Sequence, residues 1–312
     1  KADMALEPLC ALLALKTGMP VKMEMSRAEE FMVTPRMNTI VDLKAGISKD
    51  GMFTARSGHV ILDTGAYAGH GALVHGVFTA MHNSMYKCLN TKCRATVVYT
   101  NKPQGGSMRG TTGPPVFFAV EEQLDEIAEE LKLDPIELRL RNAWSVGDSY
   151  PLDLDGLGIK IGSYSLRECF QAGSKNVAWA SRKNHHAKNG LIRRGVGLAC
   201  VPIWVSGTAG LSPWMEVTGS MIKLNEDGTI SLNISTMDVG GGQHTALAQI
   251  AAEALGINFE DVVLSSADTE VSPVDGVTAS SRTAYAVGAT VKATAEKVKE
   301  QILERASKLL KV

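Results

Sequence analysis

The residues with the clearest chemical potential are Gly105–Pro115, which read Gly-Gly-Ser-Met-Arg-Gly-Thr-Thr-Gly-Pro-Pro. Glycines let backbone N–H groups approach a ligand closely. An apolar-periodic run follows and predicts a helix, whose first turn adds unpaired N–H donors and the positive end of a dipole. Arg109 adds a permanent charge on a planar fork of donors. Together they describe a site for a phosphate-bearing or otherwise anionic cofactor. A tight glycine turn with a solvated arginine would use the same residues.

The pattern recurs twice. Asp238–Thr245, Asp-Val-Gly-Gly-Gly-Gln-His-Thr, closes a predicted strand and opens a helix. Its glycines expose backbone donors, and Gln243 can both donate to and accept from a heterocycle edge. Thr278–Thr283, Thr-Ala-Ser-Ser-Arg-Thr, opens the last predicted helix. Alone, its small hydroxyl residues are ordinary helix caps. Three such junctions in one chain favour one ligand with many acceptor atoms. None has the spacing G-x-x-x-x-G-K-[ST] or G-x-G-x-x-G, so a simple nucleotide fold is not supported.

The elements that must position these loops follow from periodicity. A helix is predicted over 3–17 and a strand over 21–25. Strands at 39–47 and 53–62 flank Lys49-Asp50-Gly51, a hairpin signal. Residues 63–76, with their glycines and histidines, read as a loop. His59, His70, His75 and His82 match no ligand spacing. A strand at 93–99 leads to the helix at 115–131, whose stripe is Phe117, Val120, Leu124, Ile127 and Leu131. Its carboxylates, Glu121 among them, are assigned to a solvated face. Further on come a capped helix from Asp134, a helix at 166–181, a strand at 194–201, a hairpin across 225–228, and a helix ended by Gly256. The fold class is α+β: two mixed halves, residues 1–145 and 193–312, joined by 146–192.

Composition narrows the partners. Net charge is −1 over 312 residues, which gives no electrostatic reason to expect nucleic acid or an anionic membrane. No apolar run reaches the roughly 20 residues of a membrane span. The five cysteines form no C-x-x-C pair. That argues against a disulfide framework or an iron–sulfur site in this chain, and for a reducing, cytoplasmic setting. Lys1 is not an initiator methionine, and Val312 falls inside a helical pattern, so a piece of a longer polypeptide is expected.

Met108-Arg109-Gly110 with Gly113-Pro114, then Glu121-Glu122 and Asp134–Ala143, resemble the molybdenum-cofactor-binding subunit of the xanthine dehydrogenase/aldehyde oxidase family. So do Gln243-His244-Thr245 with the helix after it, and Asp268-Thr269 leading to Thr278–Thr283, all in the family's order. The resemblance implies a molybdopterin, in some members its cytosine dinucleotide form, whose dithiolene rather than the protein holds the metal. It also implies hydroxylation of a small molecule, with [2Fe–2S] and FAD groups on partner domains or subunits and a homodimeric complex among the expected assemblies. Arg109 and Gly110 are then expected near the metal. Val239, Gly240 and Gly241 offer backbone contacts, and Ser280, Ser281, Arg282 and Thr283 meet the pterin and its phosphate. The family's general-base glutamate falls beyond Val312, so no catalytic residue is assigned here and the chain alone is expected to be inactive.

Departures from the xanthine enzymes bear on substrate. Ala2 stands where they have glutamate, Val77 near their substrate-orienting arginine, and Thr111 where they have an aromatic ring. Gly241 stands where many members have glutamine. Hydroxylation of an aldehyde or an N-heterocycle, or reduction of an aromatic CoA thioester, is therefore expected instead of purine chemistry, with Val77 and Thr111 in the substrate pocket. The other reading of the same residues is a cofactor-free scaffold or assembly relative of the same fold.

Overall fold

The structure, a computed structural model, describes residues 6–69, 71–107, 109–110, 113–149, 160–184, 191–192, 194–201 and 217–311. Contacts divide the chain into two compact units, residues 2–202 and 203–312.

The first unit begins with helices α1 (Glu7–Thr17) and α2 (Arg27–Val33). Strands β1 (Thr39–Ile47) and β2 (Phe53–Gly65) form an antiparallel hairpin. Helix α3 (Gly71–Ser84) then carries the chain to β3 (Thr91–Tyr99), which pairs parallel to β2. The sheet order is β1-β2-β3. Helices α4 (Gly113–Leu131) and α5 (Pro135–Arg141) follow, and α6 (Leu166–Asn176) comes later. Alternation on β2 sends Val60, Leu62 and Thr64 to one face. There Val74, Phe78 and Met81 of α3 and Val116, Val120 and Leu124 of α4 are buried as well. Each such aliphatic or aromatic side chain contributes about 1.5–3 kcal/mol when removed from water.

The second unit repeats this wiring with shorter strands. Strands β4 (Met221–Leu224) and β5 (Ile230–Ile234) form the hairpin. Helix α7 (Gln243–Leu255) leads to β6 (Val262–Ser266), parallel to β5. A π-helical turn, Thr283–Val287, runs into the closing helix α8 (Gly288–Leu310). Leu232 and Ile234 pack against Leu247, Ala251, Val287 and Val291. A Cβ on Gly288 would lie 2.9 Å from Ile250 Cδ1, so the glycine lets α7 and α8 approach.

Several expectations are corrected. Residues 21–25 form no strand, and among the described residues no strand pairs with them to supply ladder hydrogen bonds. The end of the stretch read as a loop, residues 71–76, is the start of α3, whose buried positions Val74, Phe78 and Met81 keep a helical spacing among its glycines and histidines. His82, on the same helix, is buried. In 194–201 the described residues form no strand, and the Cys200 N–H instead donates to Glu121 Oε2 at 2.9 Å. Glu121 itself is 6% exposed, not part of a solvated face. Its carboxylate accepts from Tyr86 Oη at 2.5 Å and from Arg139 Nε at 2.9 Å. Arg139 also pairs with Asp125 at 2.8 Å. Burial, together with the neighbouring carboxylate, pushes the Tyr86 phenol far above its ordinary value, so it stays a donor.

Candidate functional site

In each unit two loops leave the same end of two adjacent parallel strands, which is where open α/β sheets hold ligands. In the second unit they follow β5 and β6. Gly240 has φ +91° and Gly242 φ +73°, and a Cβ on either would meet nothing within 4 Å. Packing does not demand these glycines. The left-handed backbone does, and it leaves open space above the loop. The Gly240 N–H donates to Asp238 Oδ1 at 2.9 Å, and the Gly241 N–H to Gln243 Oε1 at 3.1 Å. The Gly240 bond, helped by the Gly242 and His244 N–H groups, holds the Asp238 carboxyl below its ordinary range. The loop therefore already carries an anion at the start of α7, and the chemistry left to offer a ligand is that of neutral backbone and side-chain amides.

The loop after β6 is built around a buried charge. Arg282 Nη1 and Asp275 Oδ1 are 2.8 Å apart, with both side chains at most 1% exposed. Arg282 Nη2 also donates to the Val217 carbonyl at 3.3 Å. Ser280 and Ser281, just before it, have φ +53° and +56° and are exposed. Consecutive left-handed residues without glycine cost of order 1–3 kcal/mol each. The strain persists because Arg282 on one side and the π-helical turn on the other are both fixed. The two loops are laced together. Thr236 Oγ1 donates to Asp275 Oδ2 at 2.8 Å, and the Met237 N–H donates to Thr278 Oγ1 at 3.1 Å.

In the first unit the loop after β3 is tied down before it reaches Arg109. The Gly105 N–H donates to the Thr64 carbonyl and the Gly106 N–H to the Pro35 carbonyl, each at 2.9 Å. A Cβ on Gly65 (φ +75°) would sit 2.2 Å from the Pro103 carbonyl oxygen, so only glycine fits there. Asp63 accepts from Lys102 Nζ at 2.8 Å and Thr100 Oγ1 at 2.6 Å, and these bonds hold its carboxyl down at about 2. Among the described residues the buried Ser107 hydroxyl has no hydrogen-bond partner. The Arg109 carbonyl accepts from Arg36 Nη2 at 3.2 Å, while its side chain is exposed. Gly110 is exposed with φ +83°.

The expected residues thus fall into two sets. In the second unit Val239, Gly240, Gly241, Ser280 and Ser281 are exposed on the laced loop pair, Thr283 is half-buried, and Arg282 is buried beneath them. In the first, Arg109 and Gly110 are exposed beyond the tied loop, and Val77 is half-buried on α3. Thr111 and Ala2 lie outside the described residues. Residue reading missed Asp275 and Thr236, since neither belongs to a motif and only their meeting gives them meaning. An acidic residue seven positions before a loop arginine was the available signal.

These residues suit the pterin that the resemblance implies. In the second unit the open glycine backbone at Gly240 and Gly242 and the exposed Ser280 and Ser281 hydroxyls are neutral donors and acceptors for a heterocycle. Arg109 is an exposed cation for a phosphate. Among the described residues no group of three His, Cys, Asp or Glu could hold a metal ion.

Comparisons with known proteins agree in kind. Residues 1–143 and residues 172–312 each match a family described as a molybdopterin cofactor-binding domain. The xanthine dehydrogenase molybdenum-binding subunit of Escherichia coli O157:H7 is 36% identical over 99% of this chain and 41% of its own length. The aldehyde oxidoreductase of Megalodesulfovibrio gigas is 27% identical over 93% of the chain and 31% of its own length. Among solved structures, the aldehyde oxidoreductase of Desulfovibrio desulfuricans superimposes with a TM-score of 0.77 at 26% identity, covering 95% of this chain and 32% of that one. The chain therefore spans about two fifths of the length of the xanthine dehydrogenase relative.

Proposed function

Because the chain belongs to the xanthine dehydrogenase/aldehyde oxidase family of molybdenum-binding proteins, we propose that it forms the part of a molybdenum hydroxylase that holds the molybdopterin. The observation that carries this reading is the laced loop pair of the second unit, which keeps the open Gly240–Gly242 backbone beside the strained, exposed Ser280-Ser281. When bound, the cofactor supplies the metal centre for oxidative hydroxylation of a carbon and for passing on the electrons. The chain's own residues bind and orient it. Val239, Gly240 and Gly241 present backbone groups to the pterin. Ser280, Ser281 and Thr283 present hydroxyls, and Arg282 holds their loop. Arg109 and Gly110 form the corresponding contact of the first unit.

The binding modules in this proposal are residues 1–145 and 193–312, joined by 146–192. The cofactor is a molybdopterin, its cytosine dinucleotide form included. Electrons pass to [2Fe–2S] and FAD groups on partner domains or subunits in a cytoplasmic complex. No helix among the described residues is long and apolar enough to cross a membrane. Val77 and Thr111 line the substrate pocket. With a small hydroxyl residue in place of an aromatic ring, the preferred substrate is an aldehyde, an N-heterocycle or an aromatic CoA thioester. The general base comes from sequence outside this chain.

The test is molybdenum analysis and fluorescence of released pterin on the full-length protein. Substrate-dependent dye reduction with purines, aldehydes and nicotinate-like heterocycles then follows, and oxidation of a reduced dye is read with aryl-CoA thioesters. Stoichiometric molybdenum and reduction by a non-purine support the proposal. A full-length, matured protein lacking both metal and pterin refutes it and leaves the cofactor-free scaffold.

A further inference from the structure

Asp275 has no place in the contacts just assigned, yet three segments of the second unit meet at its carboxylate. Oδ1 pairs with Arg282 Nη1, and Oδ2 accepts from Thr236 Oγ1, each at 2.8 Å. Thr236 is fully buried at the end of β5. Its carbonyl accepts from His244 Nε2 at 2.8 Å, at the start of α7, and from Ser266 Oγ at 2.5 Å, at the end of β6. Arg282 in turn follows the two left-handed serines and precedes the π-helical turn. One side of Asp275 therefore fixes the root of the glycine loop, and the other fixes the serine turn.

We propose that Asp275 is a positioning residue for the cofactor: through Thr236 and Arg282 it sets the spacing between the Gly240–Gly242 backbone and the Ser280–Thr283 turn. This rests on the reading of those two loops as pterin contacts. Its carboxylate matches the Arg282 charge inside the protein, so Arg282 acts as an anchor for the turn and not as a cation offered to the ligand. The strain at Ser280 and Ser281 is retained because this anchor cannot rotate, and the serine groups are already placed when the pterin arrives. Neither Thr236 nor Asp275 is asked to touch the cofactor. Their effect is on how long it stays.

The experiment uses the full-length protein with Thr236→Val, Thr236→Ser, Asp275→Asn and the paired Asp275→Leu/Arg282→Met. The paired variant removes the charge couple without leaving Arg282 buried alone, which covers the case where Asp275→Asn fails to fold. Two quantities are read: the melting temperature of the cofactor-free and loaded forms, and the rate at which pterin is released, followed by its fluorescence. The wild type is first shown to hold molybdenum and pterin. If it holds neither, the reading of the loops falls and this proposal with it. Thr236→Val should leave the cofactor-free melting temperature within about 4 °C of wild type. It should speed pterin release about tenfold or more, as loss of a supporting contact does around a metal site. Thr236→Ser, which keeps the hydroxyl, should restore slow release. The paired variant should fold and release pterin as fast as Thr236→Val. Wild-type release rates in Thr236→Val and the paired variant would overturn the proposal. So would an equal drop in both melting temperatures with unchanged release, because a merely structural brace behaves that way.

Discussion

From Thr39 to Leu131, and again from Met221 to Leu310, the chain runs hairpin, helix, parallel strand, helix. In both passes the loop after the third strand carries candidate ligand-binding residues. In the first unit that loop is tied at the rim by Asp63 with Lys102 and Thr100, the lysine remaining partly exposed. The buried ion pair of that unit, Arg139 with Glu121, lies elsewhere, joining α4, α5 and the segment at Cys200. In the second unit the buried pair, Arg282 with Asp275, is inside the loop itself. Shared wiring therefore does not imply a shared way of holding a site. The first unit secures its frame and lets the tip of its loop project, whereas the second secures the loop.

The contrast can be attacked by mutation, and the largest effect is expected at the frame of the first unit. Glu121→Ala leaves the buried Tyr86 hydroxyl and Cys200 N–H without their acceptor and Arg139 with Asp125 as its remaining carboxylate, and should destabilise the protein by about 3 kcal/mol in urea unfolding. A loss under 1 kcal/mol would show that the network is not a support. Acid should weaken the same unit next. Burial, then the charge of Arg56, depresses the His82 pKa to about 4. The unfolded imidazole, near 6.5, binds a proton first. Stability is therefore full above about pH 6.5 and falls down to about pH 4, by up to roughly 3 kcal/mol. Asp63 works in the same sense at lower pH, with its folded pKa at about 2. Its contribution is present above the unfolded value near 4 and is lost as pH falls through about 2. Hydrogen exchange should thus open α3 at pH 5 before it opens α7. Simultaneous opening would erase the distinction.

Smaller effects separate glycines held by packing from glycines held by conformation. Gly65→Ala meets the Pro103 carbonyl and should cost about 2–3 kcal/mol by thermal unfolding. Gly240→Ala meets nothing, so about 1–2 kcal/mol for the left-handed backbone is expected. Its larger consequence should be reduced pterin content on fluorescence assay. Equal stability losses at the two positions would contradict the comparison. Arg109→Ala, at an exposed tip, should change stability by less than about 0.5 kcal/mol while lowering pterin content.

Much of this was legible in the residue order, and the exceptions have physical causes. The hairpins at Asp50-Gly51 and Asp227-Gly228, the stripe of α4, and the Asp134 cap on α5 are local, so their signals are local too. Helix α3 was missed because its glycines and histidines outweighed a correct apolar spacing. Glu121 was misplaced because its neighbours on α4 are solvated carboxylates and its partners lie 18, 35 and 79 residues away. The exposed ends of the loops were readable as chemistry. The pairing of Asp275 with Thr236 was not, because it exists only once β5 and β6 are side by side.

The π-helical turn at Thr283–Val287 has a consequence of phase. An α-helix advances about 100° per residue, and a single wide turn absorbs one extra residue within an otherwise continuous helix. Val287, Val291 and Ala295 must face the core, while Arg282, just upstream, must face Asp275. The wide turn lets one chain satisfy both headings. Deleting a single residue there would leave a smoother helix with its two ends out of step, able to keep the apolar stripe or the ion pair but not both. The irregular turn works as a vernier between the core and the loop, and it ties the aim of Ser280 and Ser281 to residue count as firmly as to residue type.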